Sequence, residues 1–486
     1  MFCASDILML CNSDGKGAQA GQNCGELGKV CKDGKCADKT KCAAGASQCV
    51  DGKLHTCKVD GSDWLIEDCK SDEVCKEGSC AKLACTPGKL WCVGSVVMKC
   101  DAAGGKEELV ENCATGGKSC SDGACSSGWA AKVSLAGNSS CALRGNGTVS
   151  CWGSNDWGEL GDGKASPSSA IPQAVVGLSG VVGLAAGMQH HCALTAQGAV
   201  HCWGNNAVGS TGAPASAGKA TPLPVQVKGL AVVTAIACAH YSCCATQLDG
   251  TVMCWGTGGQ LSDGTNSGTL NTGLPVKAVN LQNPAAMVAG STAWCASEGV
   301  GQWKCWGQNS NSVLLKMPVT TLIAAPNAGL NGFTGLDFGS AHACALEAGG
   351  ALKCWGYNKN SQLGVSQPNK TVNTPIDAKG VAGGVVQLAL GNHHSCALHT
   401  GGGVSCWGDD SVGQLGGGKA GLANNAQGVF VAGVASIKHL DAGAAQTCAV
   451  RDDGAVLCWG QSNYGQAGQA VGAKQAPVNV ISGSAP

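Results

Sequence analysis

Residues 141–153 read CALRGNGTVSCWG: a cysteine, followed ten positions later by the triplet Cys-Trp-Gly. The same arrangement recurs six more times, pairing Cys141 with Cys151, Cys192 with Cys202, Cys244 with Cys254, Cys295 with Cys305, Cys344 with Cys354, Cys396 with Cys406 and Cys448 with Cys458. Successive Cys-Trp-Gly triplets are 49 to 52 residues apart. Strand-built repeats of that length signal a propeller or a solenoid.

Within a unit the order is an apolar strand, Gly-x-x-His, Cys-Ala-Leu, a glycine turn, Val-x-Cys-Trp-Gly, Asn or Asp, Gly-Gln-Leu-Gly, a polar loop and Pro-x-x-Val. Unit two shows it as VVGLAAGMQHHCALTAQGAVHCWGNNAVG followed by PLPVQV. If Gly145-Asn146-Gly147 turns the chain, Cys141 and Cys151 face each other on adjacent antiparallel strands, near enough to bond. A disulfide across every hairpin follows. Unit three adds Cys238 and Cys243, which a turn through residues 239–242 would join, so that all 16 cysteines of the repeat region are paired. Alternation puts Val149 and Cys151 on one face and Trp152 on the other. Trp152, Trp203, Trp255, Trp306, Trp355, Trp407 and Trp459 are expected to form a layer between units.

These motifs resemble the regulator of chromosome condensation type repeat, over about residues 129–483. Gly187/His190, Gly339/His342 and Gly391/His394 match its Gly-x-x-His element, whereas Ser139, Ala293 and Gln446 stand in that place elsewhere. Residues 158–161 (GELG) and 413–416 (GQLG) match its later loop, and unit four departs most, with QNSNSVLLKM after Trp306-Gly307. The resemblance implies an all-β fold, a seven-bladed β-propeller, and the seven motifs agree with that number. It implies little about function, because the scaffold hosts nucleotide exchange, enzyme inhibition and adhesion.

The chain of 486 residues divides at about residue 127, with small disulfide-rich modules at 1–127 and the propeller at 128–486. Cysteines at 42, 49, 57, 69, 75 and 80 are repeated at 85, 92, 100, 113, 120 and 125, an offset of 43 residues at the first. Cys3, Cys11, Cys24, Cys31 and Cys36 match positions two to six of the same module. One thiol in this region therefore lacks a partner. Either Met1 is internal to a longer chain that supplies the missing cysteine and a secretory signal, or the odd cysteine pairs between molecules. Modules this short lean on disulfides in place of a core, and act as a spacer, a stalk or a ligand-binding element. The Cys-x7-Cys segment reads as a small hairpin, and the six-cysteine connectivity is left open.

Thirty-one basic against 32 acidic side chains leave no electrostatic footprint for nucleic acid. Thirty-three cysteines without a zinc-ligand spacing point to an oxidising compartment, extracellular or at the cell surface. No apolar run is long enough for a membrane span, and helix is expected to be nearly absent, given 76 glycines. His190/His191 and His393/His394 adjoin cysteines, yet those cysteines are expected to be oxidised and the histidines recur at a repeat position. They read as structural hydrogen-bonding groups, with no catalytic, cofactor or metal site. Asn138, Asn146 and Asn369 begin Asn-x-Ser/Thr strings, which matter only in a glycosylating host. The loops between Leu-Gly and Pro-x-x-Val contain no Trp, Tyr or Arg, the usual anchors of tight interfaces. The expectation is a non-catalytic structural or adhesive protein, a component of an extracellular assembly, with a protein partner or self-association. The alternative is a specific protein-binding propeller of the inhibitor or exchange-factor kind.

Overall fold

The computed structural model describes residues 132–214, 219–257, 259–264, 273–299, 301–366, 371–417, 424–469 and 475–481 of the repeat region. Ahead of these it describes segments 2–4, 7–11, 18–23, 29–32, 35–38, 46–50, 53–58, 63–68, 73–76, 79–82, 88–93, 96–100, 107–112, 119–121 and 124–126. Apart from two 3-10 turns, Ser310–Ser312 and Ala328–Leu330, every regular element among the described residues is a strand.

Seven antiparallel four-stranded sheets follow one another along the chain, each made of four consecutive strands. Blade 1 comprises Lys132–Leu135, Ser139–Leu143, Val149–Gly153 and Ser169–Ala174. Blades 2 to 7 repeat this plan and end at Gln226, Gln282, Pro326, Asp377, Phe430 and Ile481. In every blade the first strand is the apolar run that opens the sequence unit and lines the central channel. The fourth is the exposed edge, and in blades 1, 2 and 7 it carries or runs into a Pro-x-x-Val segment, at residues 172–175, 222–225 and 477–480. Prolines on these edges, among them Pro172, Pro224 and Pro375, remove ladder donors where another chain would otherwise add a strand.

The second and third strands face each other in the register that the ten-residue spacing requires. Cys141 sits opposite Cys151, and the equivalent pairing holds in all seven blades. Each pair is a disulfide with Cα atoms 4.1 Å apart. An eighth disulfide joins Cys238 to Cys243 across the first two strands of blade 3. The glycine of each Cys-Trp-Gly triplet has φ between 97° and 107°, and a Cβ there would stand 2.2–2.7 Å from a carbonyl oxygen of the neighbouring strand. Only glycine fits both constraints.

Packing between blades explains why both faces of each sheet are apolar. Seven buried clusters each join two neighbouring blades; Leu143, Val149, Leu160 and Val175 of blade 1, for example, meet Val181, Ala193 and Trp203 of blade 2. The Cys-Trp-Gly tryptophans are fully buried. Each donates its indole N–H, at 2.8–3.1 Å, to a backbone carbonyl in the Gly-Gln-Leu-Gly loop of the preceding blade: Glu159, Ser210, Gln260, Val313, Gln362 and Gln414 for blades 2 to 7. Trp152 closes the circle by donating to Gln466 of blade 7. An Asn or Asp side chain folds that loop from within, as where Asn155, Asn358 and Asp410 accept from the backbone N–H of Leu160, Leu363 and Leu415.

Ring closure uses no exchanged strand. Gln475–Ile481 completes blade 7, which packs on blade 1 through Val133, Leu135, Trp152, Val456 and Ile481. Gln446 Nε2 donates to the Ala136 carbonyl at 3.0 Å, and Leu135 N–H donates to Asp441 Oδ2 at 2.8 Å. Gln466 also accepts from Ser140 Oγ, so its carbonyl keeps a donor when Trp152 is altered. Trp203→Phe should therefore cost about 2–4 kcal/mol through lost volume and a lost buried hydrogen bond, and more than Trp152→Phe. Urea midpoints of the two variants check this; equal losses would count against the carbonyl network.

The preceding region repeats a three-stranded sheet followed by a two-stranded hairpin, three times. In the second copy these are Ser47–Val50, Lys53–Cys57 and Trp64–Glu67, then Glu73–Lys76 and Ser79–Lys82. The Cys-x7-Cys segment is a hairpin in which Cys49 lies opposite Leu54. Backbone register sets Cys31 against Cys36, Cys75 against Cys80 and Cys120 against Cys125. Cys57 and Cys100, equivalent positions, are buried and disulfide-bonded. Of the five cysteines among which the first module's unpaired thiol is expected, Cys24 lies outside the described residues and the others are described in backbone alone. Residues 1–91 with 97–110 form one compact unit and 92–96 with 111–486 the other.

Candidate interaction surfaces

The Gly-x-x-His turns gather at one mouth of the central channel. There Gly137 N–H donates to the Met188 carbonyl and Met188 N–H to the His240 carbonyl, so the turns bind one another around the rim. They line a cavity of about 110 Å³. A Cβ at Gly187, Gly339 or Gly391 would stand 2.1–2.3 Å from the imidazole Cε1 of His190, His342 or His394, which is why this glycine accompanies the histidine. Nε2 of His342 meets Ser395 Oγ at 2.8 Å, and that of His394 meets Thr447 Oγ1 at 2.9 Å. His191 Nε2 meets Ser139 Oγ at 2.8 Å. Each contact crosses between blades. Burial holds His190 and His394 down to about 4 and His191 and His342 down to about 3, so these rings are neutral and structural at ordinary pH.

In blade 3 the corresponding residue is Ser242, which bonds Gln260 Oε1 at 2.8 Å and receives Trp294 Nε1 at 3.3 Å. Ala293 in blade 4 offers no polar group, and that blade compensates with Trp294 stacked on Trp306, ring centroids 5.7 Å apart. The divergent loop QNSNSVLLKM still presents the Val313 carbonyl to Trp355, because the interaction uses backbone and not side chain.

Farther along the channel a cavity of about 390 Å³ is lined by Val133, Leu336, Asp337, Gln387, His439 and Asp441, among others. Here inner-strand side chains cap the inner strand of the next blade. Asp337 Oδ2 accepts from Leu390 N–H at 2.9 Å, Gln387 exchanges two bonds with Leu440, and Asp441 accepts from Leu135. Burial raises both carboxyl groups to about 7, Asp337 also through the charge of Asp441. The two capping acids stand in separate blades and each accepts from backbone donors, and the described cysteines near histidines are in disulfides.

His190, Cys192, Cys238 and Cys243 have their ligand atoms within 4.8 Å of one another, a spacing suited to a metal. All three sulfurs are bonded in disulfides, which leaves an ion only one imidazole nitrogen. Asn146 is exposed at a hairpin tip, Asn138 is half-buried, and Asn369 lies outside the described residues.

One surface feature is invisible to motif reading. Two residues before the position paired with the second cysteine of each blade stand Ile171, Leu223, Leu274, Ile323, Thr374, Gln427 and Ala476. In blades 1 to 4 the side chain is branched aliphatic, and Ile171, Leu223 and Leu274 are 72%, 45% and 56% exposed. Blades 5 to 7 carry polar or small residues there. At this outer-strand position blades 1 to 3 thus expose an aliphatic side chain, beside loops that lack aromatic anchors.

Models of the regulator of chromosome condensation (RCC1) repeat match residues 181–210, 333–362, 385–414 and 437–466 in one form, and 146–194 and 350–398 in another. These matched stretches and the seven-bladed architecture support an RCC1-like β-propeller. A 140-residue stretch is 35% identical to human "Probable E3 ubiquitin-protein ligase HERC3", covering 28% of this chain and 13% of that protein. A 342-residue stretch is 24% identical to the Caenorhabditis elegans "X-linked retinitis pigmentosa GTPase regulator homolog", covering 67% of this chain and 23% of that one. The matches therefore concern only a small part of those relatives. Among solved structures, Prp20p from Saccharomyces cerevisiae, described with its binding properties to Gsp1p and histones, superimposes with a TM-score of 0.58 at 21% identity, over 72% of this chain and 88% of that one. Human WBSCR16 gives 0.55 at 18% identity, over 64% and 84%. At these identities the RCC1-repeat likeness carries the fold and not the function.

Proposed function

We propose that this RCC1-repeat chain is a non-catalytic, protein-binding structural element of an extracellular or cell-surface assembly. The carrying observation is the row of exposed aliphatic side chains Ile171, Leu223 and Leu274 at one equivalent position of blades 1 to 3. Exposed apolar positions repeated at blade spacing suit many weak, equivalent contacts better than one anchored interface. Eight disulfides confined within blades support service in an oxidising setting. The net charge of −1 gives nucleic acid and anionic membrane no general attraction. No helix among the described residues is long and apolar enough to cross a membrane.

Electron microscopy and light scattering of material from the native source test this reading. Ordered polymers are expected, with the triple variant Ile171→Ser, Leu223→Ser, Leu274→Ser remaining as discrete particles. Discrete particles for the parent at every concentration would sink it in favour of a propeller that binds one specific partner. The solved Prp20p structure, with its Gsp1p and histone binding, supplies the precedent for that second reading.

A further inference from the structure

Blade 3 departs from the repeat at one place where chemistry, and not only packing, changes. The residue before the first cysteine of a blade meets the Gly-x-x-His histidine of the preceding blade. At the equivalent positions it is a hydroxyl, Ser395 for His342 and Thr447 for His394. For His190 it is Cys243, whose sulfur lies 3.1 Å from His190 Nε2. Thr447 Oγ1 also lies 3.7 Å from Cys396 Sγ of the neighbouring ladder disulfide; in the same relation, Cys243 Sγ lies 3.6 Å from Cys192 Sγ. An inert oxygen against a disulfide has been replaced by a sulfur against a disulfide.

The two disulfides so juxtaposed differ in access. Cys192, Cys202 and Cys243 are fully buried. Cys238 is half-buried and lines the cavity at the channel mouth with Ala239 and His240. A small thiolate arriving through the mouth therefore meets Cys238 first, and Cys243 becomes the leaving sulfur. His190 Nε2 is placed to hydrogen-bond that departing thiolate.

We propose that Cys238–Cys243 is a site of exchange with low-molecular-weight thiols, and that it passes the exchange on to the Cys192–Cys202 disulfide of blade 2. In the first step a thiolate attacks Cys238 Sγ, the Cys238–Cys243 bond breaks, and Cys238 carries the thiol as a mixed disulfide. In the second step the Cys243 thiolate attacks Cys192 Sγ, the Cys192–Cys202 bond breaks, and Cys202 leaves as a thiolate that takes up a proton. One thiol is consumed and one appears, so no net oxidation or reduction occurs. The product is a disulfide between blades 2 and 3, where the described propeller disulfides of the resting protein each lie within one blade.

The folded full chain is pulsed with glutathione at pH 8, quenched in acid, unfolded, alkylated and mapped by peptide mass spectrometry. Expected are glutathione on Cys238, a Cys192–Cys243 peptide, and alkylation of Cys202 exceeding that of Cys151 or Cys406 by at least about tenfold. Cys238→Ser supplies the Cys243 thiol directly, and should show the Cys192–Cys243 peptide with no added thiol. Label confined to Cys238 and Cys243, label spread evenly along the ladder, or no label would each overturn the proposal. The pulse on the parent chain decides the matter if the variant does not fold.

Discussion

Reduction of the propeller disulfides should unfold the propeller under conditions in which the oxidised chain is stable. Each ladder disulfide spans ten residues and removes loop-closure entropy from the unfolded chain, about 3 kcal/mol or less apiece. Seven together amount to as much as roughly 20 kcal/mol, against a typical net stability of about 5–15 kcal/mol for a folded domain. The entropic loss is not offset elsewhere, because the aromatic content outside tryptophan is low and the inner strands are short. Circular dichroism of the reduced and alkylated chain checks this: the cooperative thermal transition should be lost. A reduced chain that melts within a few degrees of the oxidised one would show that the ladder is dispensable. Removal of a single rung, Cys396→Ser with Cys406→Ser, should cost about 2–3 kcal/mol and leave the ring intact.

Acidification from pH 6.5 to pH 4 should destabilise the protein steeply. His190, His191, His342, His394 and His439 have native pKa values held down to about 3–4 by burial, whereas in the unfolded chain they take up protons near 6.5. Around pH 5 the unfolded state holds close to five protons that the native state refuses, and fewer at either end of the window, so stability falls as pH falls. Asp337 and Asp441 act in the opposite sense. Their native values of about 7 exceed the unfolded value, so they keep two protons that the unfolded chain has released. Near pH 5 the net excess of about three protons on the unfolded state corresponds to about 4 kcal/mol per pH unit, with a shallower slope toward pH 6.5 and pH 4. Denaturant midpoints measured between pH 7 and pH 4 check the sign; a midpoint unchanged over that range would contradict the neutral, buried histidines. Asp337→Asn with Asp441→Asn retains oxygen acceptors for Leu390 and Leu135. That variant should be more stable than the parent above pH 7 and lose stability more steeply in acid.

Much of this architecture is legible in the sequence because its determinants are local. A hairpin with a short glycine turn leaves one register for cysteines ten residues apart, so the ladder follows from spacing. The Cys238–Cys243 pair, five residues apart around a turn, is equally local. Strand alternation likewise separates Trp152 from Cys151, and the seven repeats agree with the seven-bladed ring that the family resemblance implies.

Other features depend on what a neighbouring blade brings. That Trp152 reaches the carbonyl of Gln466, 314 residues away, follows only from the rotation that brings blade 7 back to blade 1. Unit four looked divergent because motif reading follows side chains, whereas the bond to Trp355 needs only a backbone oxygen. The approach of Cys243 to Cys192, the exposed aliphatic row and the raised pKa values of the channel carboxyl groups are likewise products of assembly. From the sequence alone came the repeat, the hairpins and their cysteine pairs, which are short-range and set by turn length and alternation. The tertiary structure alone decided which atoms meet between blades and which charges lose their water, because those outcomes rest on contacts tens to hundreds of residues apart that form only when the ring closes.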